Sequence, residues 1–124
     1  RRRDDLFLRK NKMNLSSLLS NKTIKAKEKS VRLASAILND HVSQDELITL
    51  AGNSKDSVKA ICMEALEIVT RQQPDSCSEK VFDFALTCLD NKGNRVKWEA
   101  AKIISRLVVY YPHKNAAAVK KLLA

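Results

Sequence analysis

The residues of this chain most able to do chemistry are three cysteines and two histidines, the side chains that metals and nucleophilic catalysis use. Cys62, Cys77 and Cys88 form no C-x-x-C pair, and His41 and His113 have no acidic or cysteine partner at the spacing of metal ligands. We therefore expect buried, reduced thiols, no metal, no cofactor and no catalytic site. The odd number of cysteines, two of them on apolar helix faces, favours a cytoplasmic protein.

Glycine and tryptophan are rare in this chain, so their positions are informative. Gly52 and Gly93, the only glycines, lie at predicted helix ends, which leaves no glycine-rich loop to hold a phosphate. Trp98 is the only tryptophan, and two interpretations of it are open. It is a stacking platform or an interface anchor if it is exposed, whereas the high average burial of tryptophan favours packing on a neighbouring helix pair. Tyr110 and Tyr111 are expected to seal the end of the same helix.

The net charge of +9 is concentrated at one end of the chain. Residues 1–32 hold 11 of the 23 basic and 3 of the 14 acidic residues, a net charge of +8, which leaves +1 for residues 33–124. A basic stripe with the spacing i, i+3, i+7 and i+10 lies at Lys22, Lys25, Lys29 and Arg32. Such an end contacts nucleic acid, lipid or an acidic partner, or it is simply a solvated arm.

Two stretches of the chain repeat each other, and both place a proline 16 residues after a valine. They run from Val58-Lys59 to Pro74 and from Val96-Lys97 to Pro112, and a fainter copy begins at Val31-Arg32. Self-similarity of this kind is typical of stacked helical units. The repeat places three basic residues at the same position of successive units: Arg32, Lys59 and Lys97. They form either a row of cations that binds phosphates or carboxylates or structural ion pairs with the turn that precedes each helix.

The charge pattern differs between the two clear copies. Glu64 and Glu67 stand where the next copy has Lys102 and Ser105. A continuous basic groove would be broken there, and this counts against a nucleic-acid clamp that uses the whole surface. Lys102 stays a candidate contact residue because it lies near Trp98.

Apolar periodicity and boundary residues predict seven helices and no strand. The predicted spans are 14–20, 23–39, 44–51, 55–72, 77–90, 95–111 and 115–123. The predicted N-terminal signals are capping boxes at Ser43–Glu46 and Ser76–Glu79 and single N-caps at Ser54 and Asn94. Gly52 and Asn53 are expected to end the third helix in the left-handed conformation. The fold class is therefore all-α.

Helix pairs of this length resemble HEAT repeats. The residues that carry the likeness are Leu50-Ala51 leading to Asp56-Ser57-Val58-Lys59, and Leu89-Asp90 leading to Asn94-Arg95-Val96-Lys97. In that family, apolar residues end the first helix, and Val-Arg or Val-Lys opens the second after a short polar turn. The resemblance implies a right-handed α-α superhelix of HEAT-like helical pairs over residues 13–124, with units 13–41, 42–74 and 75–112 and the first helix of a fourth. Residues 1–12 are then a basic N-terminal arm or an expression remnant.

The resemblance implies function only broadly. It favours a non-catalytic scaffold that binds protein through the second helices of successive pairs. HEAT-like folds also include DNA glycosylases of the alkylation-repair kind, which hold duplex DNA on a basic concave face, and Glu99 beside Trp98 is a loose candidate for their catalytic carboxylate. We expect a protein partner, which the basic end would steer if that partner is acidic. Nucleic acid ranks second, and no membrane partner is expected.

The last predicted helix has no following helix to cover it. Val119, Leu122 and Leu123 would then face water, and large exposed apolar patches mark interfaces. We expect further repeats, a second copy or another protein to cover this end. The candidate partner-binding residues are Lys22, Lys25, Lys29, Arg32, Lys59, Lys97, Trp98, Lys102, Leu122 and Leu123.

Overall fold

The computed structural model describes residues 14–123, and the regular structure of this part of the chain is helical. Seven α-helices and no strand occur there: α1 Leu15–Ser20, α2 Ala26–Leu38, α3 Gln44–Gly52, α4 Asp56–Gln72, α5 Glu79–Cys88, α6 Asn94–Leu107 and α7 Asn115–Leu123. Short 3₁₀ helices lie at Pro74–Ser76, Val108–Tyr110 and Pro112–Lys114, so α6 ends before the predicted residue 111. The all-α prediction with its seven helices is confirmed. The predicted arm at 1–12 lies outside the described residues.

The helices pack in two adjoining rows. α2 packs against α4 and α4 against α6, while α3 packs against α4 and α5, and α5 against α6. We call α2, α4 and α6 the second-helix row, and α3 and α5 the first-helix row. α4 has neighbours on most sides, and every residue from 62 to 70 is buried. No helix within residues 14–123 combines the length and the apolar character needed to cross a lipid bilayer.

The core between the two rows is apolar. Its largest fully buried side chains include Leu33, Leu47, Met63, Leu66, Phe82, Ile103, Ile104 and Leu107. All three thiols are free and buried, as predicted. Burial raises the pKa of Cys62 to about 12 and that of Cys77 to about 11. Because the thiolate is the nucleophilic form, both thiols are unreactive at neutral pH. Cys77 precedes α5 and does not lie on it, contrary to the predicted span.

The N-caps follow the sequence prediction only in part. The backbone N–H of Glu46 donates to Ser43 Oγ at 3.0 Å, so the cap predicted for α3 is confirmed. Ser54 does not cap α4, because its hydroxyl donates instead to the carbonyl of Leu50 at 2.6 Å, at the end of α3. Asn94 is the first residue of α6 and makes no capping bond.

The capping box predicted at Ser76 is wrong. Pro74 begins a 3₁₀ helix that contains Ser76, and α5 begins only at Glu79. The side chain of Gln44, from α3, satisfies the backbone here. Its Oε1 accepts from the N–H of Ser78 at 3.0 Å, and its Nε2 donates to the carbonyl of Ser76 at 2.9 Å. The start of α5 therefore depends on packing between the two first-row helices.

The left-handed helix ending occurs after α2 and not after α3. Asn53 has φ −101°, whereas Asp40 has φ 61°. The N–H of His41 donates to the carbonyl of Ala36 at 2.8 Å, and the N–H of Asp40 donates to that of Ile37 at 3.1 Å. These two bonds form a Schellman motif. Aspartate is one of the few residues besides glycine that adopt this conformation, because its short polar side chain can bond locally.

The first helical pair differs in register from the repeat seen in the sequence. Val31 is 47% exposed, whereas Val96, its predicted equivalent, is 1% exposed. Lys29, two residues earlier, is buried, and its Nζ donates to the carbonyl of Leu19 at 2.7 Å. This bond satisfies a carbonyl at the end of α1, where helices leave acceptors without partners. The alignment of Val31 with Val96 that the sequence suggested is therefore wrong in register.

Candidate interaction surface

Three glutamates are buried on the second-helix row, an uncommon place for ionised side chains. Glu64 and Glu67 belong to α4 and Glu99 to α6, and they are 6%, 4% and 4% exposed. Burying a carboxylate costs several kcal/mol unless opposite charges and hydrogen bonds surround it. The side chains around these glutamates therefore determine the character of this surface.

Glu64 joins three helices. Its carboxylate accepts a 2.9 Å bond from Lys27 Nζ of α2 and pairs at 3.1 Å with Arg95 Nη2 of α6. Burial by itself raises the pKa of this carboxyl. The hydrogen bonds from Lys27 and Ser30 and the charges of Lys27 and Arg95 outweigh burial, and the pKa of Glu64 lies below its ordinary value. Glu64 is therefore ionised at neutral pH.

Glu67 joins α4 to α6. Its carboxylate pairs with Arg71 Nε at 2.9 Å, one turn further along α4, and with the guanidinium of Arg106. The same Arg106 donates to the hydroxyl of Thr70 at 3.3 Å and to the backbone carbonyl of Glu67 at 3.3 Å. One arginine therefore satisfies three acceptors on α4.

Glu99 shares a cation with Glu64. Arg95 Nε lies 3.4 Å from Glu99 Oε2, while Nη2 of the same guanidinium reaches Glu64. Lys102 Nζ lies 3.4 Å from the other oxygen of Glu99. The order Lys27, Glu64, Arg95, Glu99, Lys102 is thus a continuous chain of alternating charge from α2 to α6.

The outer surface of the second-helix row is basic although the carboxylates beneath it are acidic. Five cations, which we call the basic face, cover three carboxylates: Lys27, Arg71, Arg95, Lys102 and Arg106. Four of these side chains are half-exposed or more, and Arg106 is about one-third exposed. Glu64 and Glu67, which were expected to interrupt a basic surface, do not reach the outer surface, because both carboxylates lie beneath the cations, but they offset part of its charge.

Trp98 lies on α6, three residues after Arg95 and four before Lys102, and is 63% exposed. The expectation that it packs on a neighbouring helix pair is wrong. Arg95 and Lys102 lie on the same side of α6, about one turn before and one turn after it. Tryptophan and arginine are the residues that most often anchor protein interfaces. The exposed interpretation of Trp98 is therefore the one that its position supports.

The two tyrosines after α6 have different roles. The hydroxyl of Tyr111 donates to the carbonyl of Cys77 at 2.5 Å, and its ring lies 5.9 Å from that of Phe82. Tyr111 thus seals the end of the helix, as predicted, whereas the same prediction is wrong for Tyr110, which is exposed.

The predicted basic stripe is not assembled as one surface. Lys22 and Lys25 are exposed and precede α2, but Lys29 is buried between them and Arg32. Arg32 pairs with Glu28 at 2.6 Å on its own helix. Burial of Lys29 removes the middle of the stripe.

The predicted row of three cations is likewise reduced to two members. Lys59 and Lys97 are the fourth residues of α4 and α6 and are both partly buried, whereas Arg32 is the seventh residue of α2. Arg32 lies almost one turn further along its helix, so it is not the equivalent of the other two.

The apolar end of the chain has the predicted exposure. Leu122, Leu123 and Val119 are exposed, and Leu123 is 83% exposed. An ion pair between Lys121 and Asp90 connects α7 to the residues after α5. The cover that we expect over this end stays a prediction.

Sequence reasoning missed most of the basic face. Lys27, Arg71, Arg95 and Arg106 were not candidates, although i, i+4 spacing of Glu67 with Arg71 and of Arg95 with Glu99 was a visible signal. The pairs that join different helices left no such signal, because they depend on how α2, α4 and α6 are aligned.

Neither a search for metal-binding groups nor the comparisons with known proteins identify a function. Between residues 14 and 123, no three His, Cys, Asp or Glu side chains are grouped closely enough to hold a metal ion. No protein-family model, curated protein or solved structure matches the chain. The arrangement of the described side chains is therefore the basis for a functional proposal.

Proposed function

We propose that this chain is a non-catalytic interaction module of HEAT-like architecture whose second-helix row binds a protein partner. The side-by-side packing of α2, α4 and α6 supports stacked helical pairs, and a right-handed superhelix is the shape such pairs adopt. Solenoids of this kind bind partners on the surface of the second helices. The buried thiols with raised pKa values agree with a non-catalytic role.

The observation that carries the proposal is the exposure of Trp98 between Arg95 and Lys102. Burial of apolar surface stabilises a complex by about 25 cal/mol for each Å² removed from water. A partner that covers the indole of Trp98 gains this free energy, and the neighbouring cations supply directional contacts. The basic end at Lys22 and Lys25 would at most steer an acidic partner towards the surface.

Trp98→Ala tests the proposal directly. The immobilised chain is incubated with an extract of the cells that produce it, and each captured protein is quantified by mass spectrometry. Loss of an interface anchor costs about 2 kcal/mol, so capture of the true partner should weaken about 30-fold. Lys80→Ala, an exposed lysine of the first-helix row, should leave capture unchanged. Undiminished capture by the Trp98 variant would overturn the proposal.

The second candidate is nucleic-acid binding, as in the HEAT-like glycosylases, and the basic face is the observation that favours it. Two observations weaken it. Five cations over three carboxylates leave a net charge of only +2 on this surface, whereas duplex DNA carries one charge per about 1.7 Å. Glu99, the candidate catalytic carboxylate, is buried and paired with Arg95 and Lys102, so a substrate cannot reach it. If this surface binds phosphates, the logarithm of its affinity for heparin should fall linearly with the logarithm of the salt concentration.

A further inference from the structure

We infer that the partner presents a segment in which an apolar residue is flanked by carboxylates, and that Arg95, Trp98 and Lys102 of α6 receive it. This inference rests on the proposed function and specifies the chemistry of the partner. It concerns three side chains on one side of a single helix, in which the tryptophan stands between two cationic residues along the helix axis.

The geometry defines a short binding site. The spacing i, i+3 and i+7 places the three residues on one side of α6, within about 10 Å along the helix axis at 1.5 Å per residue. The side chains of Arg95 and Lys102 are 57% and 54% exposed, comparable with Trp98. A segment of a few residues is long enough to contact all three.

The cations of this site are already bonded to carboxylates and still have donors to spare. Arg95 lies 3.1 Å from Glu64 and 3.4 Å from Glu99, and Lys102 lies 3.4 Å from Glu99. An arginine has five N–H donors and a lysine three, so these contacts leave others for a ligand. The buried carboxylates also hold the cations in place before the partner arrives. Such preorganisation lowers the entropic cost of binding.

The same surface fits an acidic protein segment better than a nucleic acid. A phosphate backbone requires a continuous row of cations, whereas this site has two, with Glu64 and Glu99 paired to them from beneath. A pair of isolated carboxylates requires only one cation each, and Arg95 and Lys102 supply one cation each. Trp98 lies between these two cations along the helix, so an apolar side chain between the two carboxylates of the partner would contact its ring.

Trp98 itself provides the signal for a test, because it is the only tryptophan of the chain. The probe is an acetylated, amidated peptide with the core sequence Glu-Glu-Leu-Glu-Glu, which contains no aromatic residue. We expect a saturable change in tryptophan emission on titration. The core Gln-Gln-Leu-Gln-Gln and a core with Ser in place of Leu should each bind at least tenfold more weakly.

Matched lysine variants locate the contact. Lys102→Gln should weaken binding of the acidic peptide about tenfold, and Lys102→Arg should bind it as the unmodified chain does. Lys80→Gln on the first-helix row should have no effect on binding. Circular dichroism confirms that each variant keeps its helical content. The inference is overturned by the absence of a saturable change, by an equal response to the glutamine peptide, or by equal weakening from Lys80→Gln. Tighter binding of duplex DNA of matched charge at the same salt concentration would also overturn it.

The two proposals fail separately. If Trp98→Ala abolishes capture of a cellular protein but the acidic peptide does not bind, the proposal of an interaction module is supported and the proposal of an acidic partner segment is wrong. If capture does not depend on Trp98 and the acidic peptide does not bind either, both proposals are wrong.

Discussion

Leu66→Asp is expected to unfold the chain. Leu66 is fully buried on α4, the helix that contacts α2, α3 and α6. An unpaired carboxylate at such a position costs several kcal/mol, and the total stability of a domain is about 5–15 kcal/mol. The far-ultraviolet circular dichroism of this variant should lose most of its helical signal at 25 °C, and a urea titration should show no cooperative transition.

Leu123→Asp is the matched control for this substitution. It makes the same chemical change at a leucine that is 83% exposed, so the helical signal and the urea midpoint should stay close to those of the unmodified chain. A Leu66→Asp protein as stable as the Leu123→Asp protein would show that α4 is not the centre of the fold.

Glu64→Gln is expected to lower the free energy of unfolding by about 1–2 kcal/mol at neutral pH. The substitution keeps the size of the side chain but removes the charge that Lys27 and Arg95 share across three helices. Loss of one partner from a fully buried pair costs about 3–5 kcal/mol. The cost is smaller here because both cations are more than half exposed and stay partly hydrated.

The effect of Glu64→Gln should depend on pH in a defined direction. The pKa of Glu64 in the folded chain lies below its ordinary value of 4.5, so its charge stabilises the fold above that value. This contribution is lost as the pH falls through the lowered pKa, where the native carboxyl also becomes neutral. The gap between the two proteins in urea titrations should therefore close towards acid.

Glu28→Gln serves as the surface control for this experiment. Glu28 is exposed and pairs with the exposed Arg32 of its own helix, and such pairs contribute about 0.5 kcal/mol or less. An equal loss in the two variants, or a Glu64→Gln effect of the same size at acid pH, would contradict the role assigned to Glu64.

The helices could be predicted from the sequence because their signals are local. Apolar periodicity located all seven, and the Ser43 cap was recognisable because its bond spans one turn. The start of α5 was not recognisable, since Gln44 of another helix satisfies its backbone. The register of α2 was misread for a related reason, because the ammonium group of the buried Lys29 bonds to a carbonyl of another helix, that of Leu19 in α1.

The candidate surface was less predictable than the fold. Trp98 and Lys102 were among the predicted contact residues, but the cations that accompany them were not. Glu64 and Glu67 looked like interruptions of a basic surface as long as each helix was considered alone. Their burial results from the alignment of α2, α4 and α6, which brings cations of neighbouring helices over them. The net charge of a surface that several helices build together therefore cannot be assessed from the sequence of each helix alone.

The most direct test of the binding role is a photo-crosslinking scan of both helix rows in the cells that produce the protein. A photoreactive residue is placed in turn at exposed positions of the second-helix row, Ser57 and Ser105, and of the first-helix row, Thr49 and Thr87. We expect the same protein partner to be crosslinked from the second-helix row and not from the first. Adducts of equal yield from both rows, or adducts from Thr49 and Thr87 alone, would contradict the proposal that the second-helix row is the binding surface.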